Sequence, residues 1–394
     1  MTRTIVSVGW VKNEADVIES SVRYALTHSD KVIIAEDGSV DNTRTILLNL
    51  QTEFKDRVIL PQPDGKPRHL LQDDATNALI QTAFTEYAAD IVIPFDADEF
   101  VISPDGKNVR DILQNMADDQ CYVSKWRHYL WYKVSENPTG FVPQRYCYFR
   151  KPGPGTAVTK VILCKKAWNT YNLSIRMGNH DVKSLDAAYA SVPLQDLVFA
   201  HYPVRSKEQI ATKAVRDGMG RASVDLRWMQ GTGWHILDIY RNLRKQNFQI
   251  SDEEMLGISL FYSEYPHKKR TLEQNMQKLA VVSDPDTLYP PIHCIYPPSP
   301  FVLFDTVVSL FGMLCEQYKT ENPLFCMKMI LAANDTISQD YRHHLIQALS
   351  KTERTHFKRG VLFFRLRPVL HPVMKIMGEL LPPSVKKYLR NLIL

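Results

Sequence analysis

Three carboxylates, Asp96, Asp98 and Glu99, fall within four residues at the end of the stretch IVIPFDADEF. The apolar run before them is long enough for one buried strand. Strand side chains alternate, so Asp96 and Asp98 are expected to point the same way at its exit, with Ala97 kept small between them. Like charges this close repel unless a cation lies between them. Hard divalent ions take oxygen ligands, and magnesium is commonly held by one or two carboxylates together with substrate phosphates. A solvated acidic turn is the plainer reading. Glu14 and Asp37 follow two earlier apolar runs, and each suits either a cap or turn or a hydrogen bond from a nucleobase N–H. Lys160 offers a point charge for a diphosphate and Arg205 a fork for phosphate oxygens. Their structural alternatives are a surface lysine and a helix cap. His180, Asp181 and His201 stand in turns after small or apolar residues, where a histidine serves either packing or proton transfer.

The elements that would position these residues alternate in type. Thr4 to Gly9 is a β-branched run, and an amphipathic helix is expected from Ala15 to Thr27. A second strand, Lys31 to Ala35, stops at Glu36-Asp37-Gly38-Ser39, and the next helix has Ser39 or Asp41 as its N-cap. Val58 to Leu60 is a third strand, Asp73 to Ala88 a long helix, and the acidic stretch ends the fourth strand. Strand, helix, strand, helix at this spacing predicts an α/β fold with a doubly wound, mostly parallel sheet whose carboxyl edge carries the ligand site. After the acidic turn the chain turns aromatic, with Trp126, Tyr129, Trp131 and Tyr146 among others. Such a surface suits either a sugar acceptor or the core face of further strands.

In combination, VKNEADVIESSVRY, AEDGSVDNT, Gln72 with Asn77 and Ala83 on one helix, and PFDADEF resemble family 2 glycosyltransferases of the GT-A fold. The closer resemblance is to the bacterial subgroup with a VKNE opening and a DADEF metal motif, and it covers residues 4–220. It implies a nucleotide-sugar donor, uridine-linked, with Mn2+ or Mg2+. It also implies inversion at the anomeric carbon and a glycan or lipid-linked glycan acceptor in surface polysaccharide synthesis. By that resemblance Asp98 is the direct metal ligand, Asp96 serves the metal or the donor ribose, and His201 completes the metal shell. Val11, Asn13, Glu14 and Asp37 face the nucleotide, with Lys160 and Arg205 beside the diphosphate. Asp181 is the base that takes the acceptor proton, with His180 its rival. Glu36-Asp37 departs from the paired aspartates or Asp-Asn of many relatives. The alternative is a catalytically degenerate relative that binds glycans or serves as an assembly subunit. A nucleotidyltransferase or nuclease would need a glycine-rich phosphate loop or further acidic ligands, and neither is present.

Composition narrows the class further. The 394 residues are 44% hydrophobic and 23% charged, which excludes global disorder. Six cysteines without Cys-x-x-Cys spacing argue against structural zinc and a disulfide framework, and suit a reducing cytosol. The N-terminal apolar stretch is too short for a secretory signal, and no window approaches the ~20 apolar residues of a membrane span. Net charge is +5, but from Lys351 onward ten Lys or Arg face only Glu353 and Glu379. The expected organisation is a GT-A domain over 1–220, a helical region over 221–350 with the proline cluster Pro290–Pro300 as a linker, and a basic amphipathic tail over 351–394. That tail would either dock on protein or contact an anionic membrane peripherally. The location expected is cytoplasmic, on the inner face of the membrane where the tail binds. No nucleic-acid partner is expected, and the oligomeric state is left open.

Overall fold

The β-branched runs near the start of the chain form adjacent parallel strands, joined by helices that bury the stripes their spacing predicts. The computed structural model describes residues 2–39, 41–61, 72–135, 140–150, 158–185, 188–214, 239, 242–243, 246, 249–260, 262, 281–283 and 289–297. Strands β1 (Ile5–Val11), β2 (Lys31–Glu36), β3 (Val58–Ile59) and β4 (Ile91–Phe95) lie in the order β4-β1-β2-β3, all parallel. The crossovers are helices α1 (Ile18–His28), α2 (Thr43–Phe54) and α3 (Gln72–Thr85). Ile18, Val22 and Leu26 of α1, with Ile46, Leu47 and Leu50 of α2, pack on Val32 and Ile34. Leu79, Ile80, Ala83 and Phe84 of α3 pack on Val6, Val8 and Ile33 on the opposite face. Neighbouring residues Ile33 and Ile34 thus serve different layers, as strand alternation requires. Removing these side chains from water is the main source of stability.

The second half of the sheet departs from the expected parallel pattern. It comprises β5 (Glu99–Ile102), β6 (Tyr122–Tyr129), β7 (Tyr148–Arg150), β8 (Thr159–Cys164), β11 (Val192–His201) and β12 (Val281–Ser283). Strand β8 runs antiparallel to both β4 and β6, and β7 lies antiparallel between β6 and β12. Strand β11 runs parallel to β6 and antiparallel to β5. The fold is therefore α/β with a doubly wound parallel half, in a sheet that is mixed overall. Helices α4 (Val109–Gln114) and α5 (Lys165–Thr170) and a small hairpin of β9 (Leu173–Ile175) and β10 (Val182–Ser184) complete this part.

Pro94 has a direct part in placing the acidic turn. Strand β4 pairs with β8 only through Ile91 and Val92, while on its other side it stays paired with β1 through Phe95. Proline has no N–H to extend a ladder. The β4–β8 pairing stops before it, and Asp96 to Asp98 form the turn into β5.

One compact unit comprises Met1–Lys207 and Ser251–Phe301. Helix α6 (Asp252–Leu260) belongs to it: Ser259 accepts from His128 Nε2 through its carbonyl at 2.9 Å and from the Trp131 N–H through its hydroxyl at 2.9 Å. Residues 289–297, part of the stretch expected to be a linker, also pack here. The Glu19 carboxylate accepts from the N–H groups of Ile295 and Tyr296, both at 2.8 Å, and Tyr289 pairs with Tyr202 through their hydroxyls. Of the other unit, Glu208–Ile250 with Val302–Leu394, residues 208–214 are helical. The domain limits expected at 220 and 350, the helices expected beyond 301 and the basic tail lie outside the described residues.

Candidate active site

The expectation that Asp96 and Asp98 share one direction is corrected by the turn. Strand β4 ends at Phe95, and the Glu99 N–H donates to the Asp96 carbonyl at 3.0 Å, so strand alternation does not apply across 96–98. Asp96 and Glu99 instead share a side. Lys160 Nζ reaches Asp96 Oδ2 at 2.7 Å, Glu99 Oε1 at 2.9 Å and the Gly178 carbonyl at 2.7 Å. All three ammonium donors are engaged and Lys160 is fully buried. The diphosphate contact expected of it is not what its geometry provides. Burial pushes the Glu99 carboxyl up to about 8, with Asp96 and Asp98 adding to the rise and Lys160 opposing it. Trp126 Nε1 also donates to Glu99, at 2.9 Å.

Asp98 faces the other way, toward residues delivered by the end of β11. That strand pairs His201 with Glu99, and the Tyr202 N–H donates to the Asp98 carbonyl at 2.9 Å. His201 Nε2 lies 3.8 Å from Asp98 Oδ1, with both side chains buried. The His201 ring stacks on Trp126 at 4.1 Å between centroids, which fixes its plane. Four residues further on, the buried Arg205 joins three carboxylates. Its Nε and Nη2 bind Asp16 at 2.6 and 3.1 Å, Nη2 also binds Glu14, and Nη1 reaches Asp98 Oδ2 at 3.2 Å and the Tyr202 carbonyl at 3.1 Å. With five donors directed at protein acceptors, Arg205 does not present a fork to phosphate as expected. The carboxylates around it hold its charge on despite burial. Asp16, its bidentate partner, escaped the sequence reading, although Glu14-x-Asp16 repeats the spacing of Asp96-x-Asp98.

The remaining candidates sit at the ends of β1 and β2 and in the β9–β10 hairpin. Val11 is the last residue of β1, and its carbonyl accepts from the Asp37 N–H at 3.0 Å. Asn13 adopts a left-handed φ of 54°, which asparagine tolerates, and its N–H donates to Ser39 Oγ at 2.9 Å. The Asp37 carboxylate lies 3.3 Å from Lys12 Nζ. The N-cap of α2 is Asn42, not Ser39 or Asp41 as expected; Asp41, one residue earlier, accepts from the N–H groups of Thr43 and Ala15. Asp181 accepts from the Val182 N–H at 2.8 Å and from Ser191 Oγ at 2.9 Å, a hairpin-holding arrangement. His180 Nδ1 lies 2.8 Å from the Thr159 carbonyl and must donate to it, so the neutral ring keeps its lone pair on Nε2. Burial first, then Lys160, lowers its pKa and favours that neutral form. Gly178, at φ 74°, leaves the room that the His180 ring fills, since a Cβ there would lie 2.6 Å from Nε2.

The donor set can be tested for a divalent cation. Four carboxylates, Glu14, Asp16, Asp96 and Asp98, with Glu99 pushed toward its neutral form, surround two buried cations, Arg205 and Lys160, so negative charge is in surplus. Asp98 and His201 offer an oxygen and a nitrogen close enough to share one ion. Among the described residues no group of three or more His, Cys, Asp or Glu is arranged to hold a metal. An ion held by Asp98 and His201 alone would have to take its other ligands from solvent and substrate.

No family model matches the chain, and no curated protein matches it. Among solved structures the chain is similar to residues 1–349 of TarS from S. aureus, at 11% identity over 92% of this chain and 91% of that one, with a TM-score of 0.29. It is similar to GalNAc-T7 with UDP, GalNAc and Mn2+, at 11% identity over 71% and 57% of the two chains, with a TM-score of 0.33. A third is glucosyl-3-phosphoglycerate synthase from Mycobacterium tuberculosis with Mn2+ and UDP, at 21% identity over 32% and 44%, with a TM-score of 0.21. Likenesses at these TM-scores define neither a fold nor a function.

Proposed function

We propose that this chain is a divalent-metal-dependent glycosyltransferase of the GT-A fold. It moves a sugar from a nucleoside-diphosphate donor, uridine-linked, to a hydroxyl of a glycan or lipid-linked glycan, with inversion at the anomeric carbon. One observation carries the reading: parallel strands β2, β1 and β4 bring Asp37, Glu14 with Asp16, and Asp96 with Asp98 to the same carboxyl edge, where β11 adds His201. Ligands of open α/β sheets bind at that edge.

Asp98 and His201 would hold the ion, Mn2+ or Mg2+, which when bound supplies positive charge for a departing diphosphate. Asp37 would accept from the donor's base or ribose. Asp96, more exposed than Glu99, is held toward the edge by Lys160. Of the two candidate bases, Asp181 and its rival His180, the lone pair on Nε2 supports His180, whereas Asp181 accepts from Val182 and Ser191. Synthesis of surface polysaccharide at the cytoplasmic face of the membrane, with the basic tail as the peripheral contact, completes the proposal.

A second reading, a degenerate subunit that binds glycans, is favoured by the pairing of Asp96, Asp98, Glu99 and Glu14 with protein cations. The full chain incubated with a panel of nucleotide sugars and Mn2+ separates the two. Release of nucleoside diphosphate from one donor, abolished by chelator, is the outcome the enzyme predicts; no release from any donor would favour the binding subunit.

A further inference from the structure

We propose that Arg205 is a positioning residue that holds Asp98 until a divalent cation arrives and then yields it, staying anchored on Asp16 and Glu14. The inference rests on the metal-dependent reading above and says how the site passes from its charge-paired to its loaded state. The arms of the guanidinium are unequal. Asp16 is gripped bidentately, at 2.6 and 3.1 Å, and Glu14 is in close contact with Nη2. Asp98 receives a single contact at 3.2 Å, from an Nη1 that also donates to the Tyr202 carbonyl at 3.1 Å. Losing Asp98 therefore leaves four of the five contacts in place.

Lys160 provides the contrast, because its three contacts, at 2.7, 2.7 and 2.9 Å, include no weak arm. Arg205 is also anchored through its backbone, whose carbonyl accepts from Tyr146 Oη at 3.2 Å. Asp98 is approached from its other oxygen by His201, so a cation taken up there meets Asp98 on the side away from Arg205. Both charges are buried from solvent, where screening is weak and two cations on one carboxylate compete strongly.

The test titrates the full chain with Mn2+ alone, reading free Mn2+ by its paramagnetic resonance signal, and repeats it with UDP present. Arg205→Gln is expected to bind Mn2+ at least tenfold more tightly than the wild type, since the competing cation is gone. Arg205→Met, which also removes the competing charge, is expected to bind at least tenfold more tightly and stands in should the glutamine variant fail to fold. Asp16→Asn loosens the anchor and is expected to weaken binding, an effect that disappears in the Arg205→Gln background. Folded Arg205 variants with unchanged or weaker Mn2+ binding would overturn the proposal, as would an Asp16→Asn effect of equal size in both backgrounds. A wild type that binds no Mn2+ even with UDP would refute the metal-dependent reading itself, and the two failures are thereby told apart.

Discussion

A lysine inside the apolar run Val158 to Cys164 is a signal that a buried partner waits for it, and the structure supplies Glu99 and Asp96. The acids themselves were legible in the sequence, but their directions were not. Alternation holds only while a strand continues, and the turn after Phe95 sends Asp96 and Asp98 to different cations. Arg205 was legible as a functional charge, but nothing in HYPVRS reveals that Asp16, Glu14 and Asp98 converge on it. Removing one partner of a buried pair leaves an uncompensated charge, which costs about 3–5 kcal/mol. Lys160→Met should lower stability by about that amount in urea unfolding, and adding Glu99→Gln should recover part of it. A loss below about 1 kcal/mol would mean the pair is far better solvated than the structure shows.

Among elements, those built on periodic apolar residues matched their expected ranges closely: α1 spans Ile18–His28, β2 Lys31–Glu36 and β4 Ile91–Phe95. The antiparallel half was less legible, since β7 has only three residues and the pairings of β6, β7 and β8 join residues distant in sequence. In the aromatic region, read as either an acceptor surface or a core face, Tyr129 and Tyr146 belong to the core. Tyr129, Tyr146 and Tyr202 are buried against one another, with Tyr129 stacked on Tyr202 at 4.5 Å. Helix α1 yields a pH prediction. His28, in its last turn, is buried, and burial, with Arg110 adding, pushes its pKa from 6.5 down to about 3. The unfolded chain takes up a proton below 6.5 that the folded chain refuses, so the native state keeps its full margin above that pH. Stability should then fall as pH drops toward about 3, by up to about 1.4 kcal/mol per unit for this group. His28→Gln should flatten that slope in denaturant titrations at pH 7, 6, 5 and 4; an unchanged slope would show that His28 is not the group responsible.

At the scale of the whole molecule, charge is divided between an acidic sheet edge and a basic C-terminus. No helix among the described residues is long and apolar enough to cross a membrane. Membrane contact is part of the proposed role of the tail, where Val385, Tyr388, Leu389 and Leu392 recur at helical spacing opposite Lys386, Lys387 and Arg390 in the sequence. Deleting residues 382–394 should reduce co-sedimentation with anionic vesicles, more at low salt than at high. Unchanged partitioning would favour docking on protein instead. The central claim is that Asp98 and a divalent ion together receive the diphosphate of the donor. It is tested most directly by thermal unfolding of the full chain with UDP, with and without Mn2+, beside Asp98→Asn. A ligand bound only by the native state raises Tm. The wild type should rise with UDP only when Mn2+ is present, and Asp98→Asn should not rise at all. An equal rise in the variant, or a rise that persists in chelator, would contradict the account.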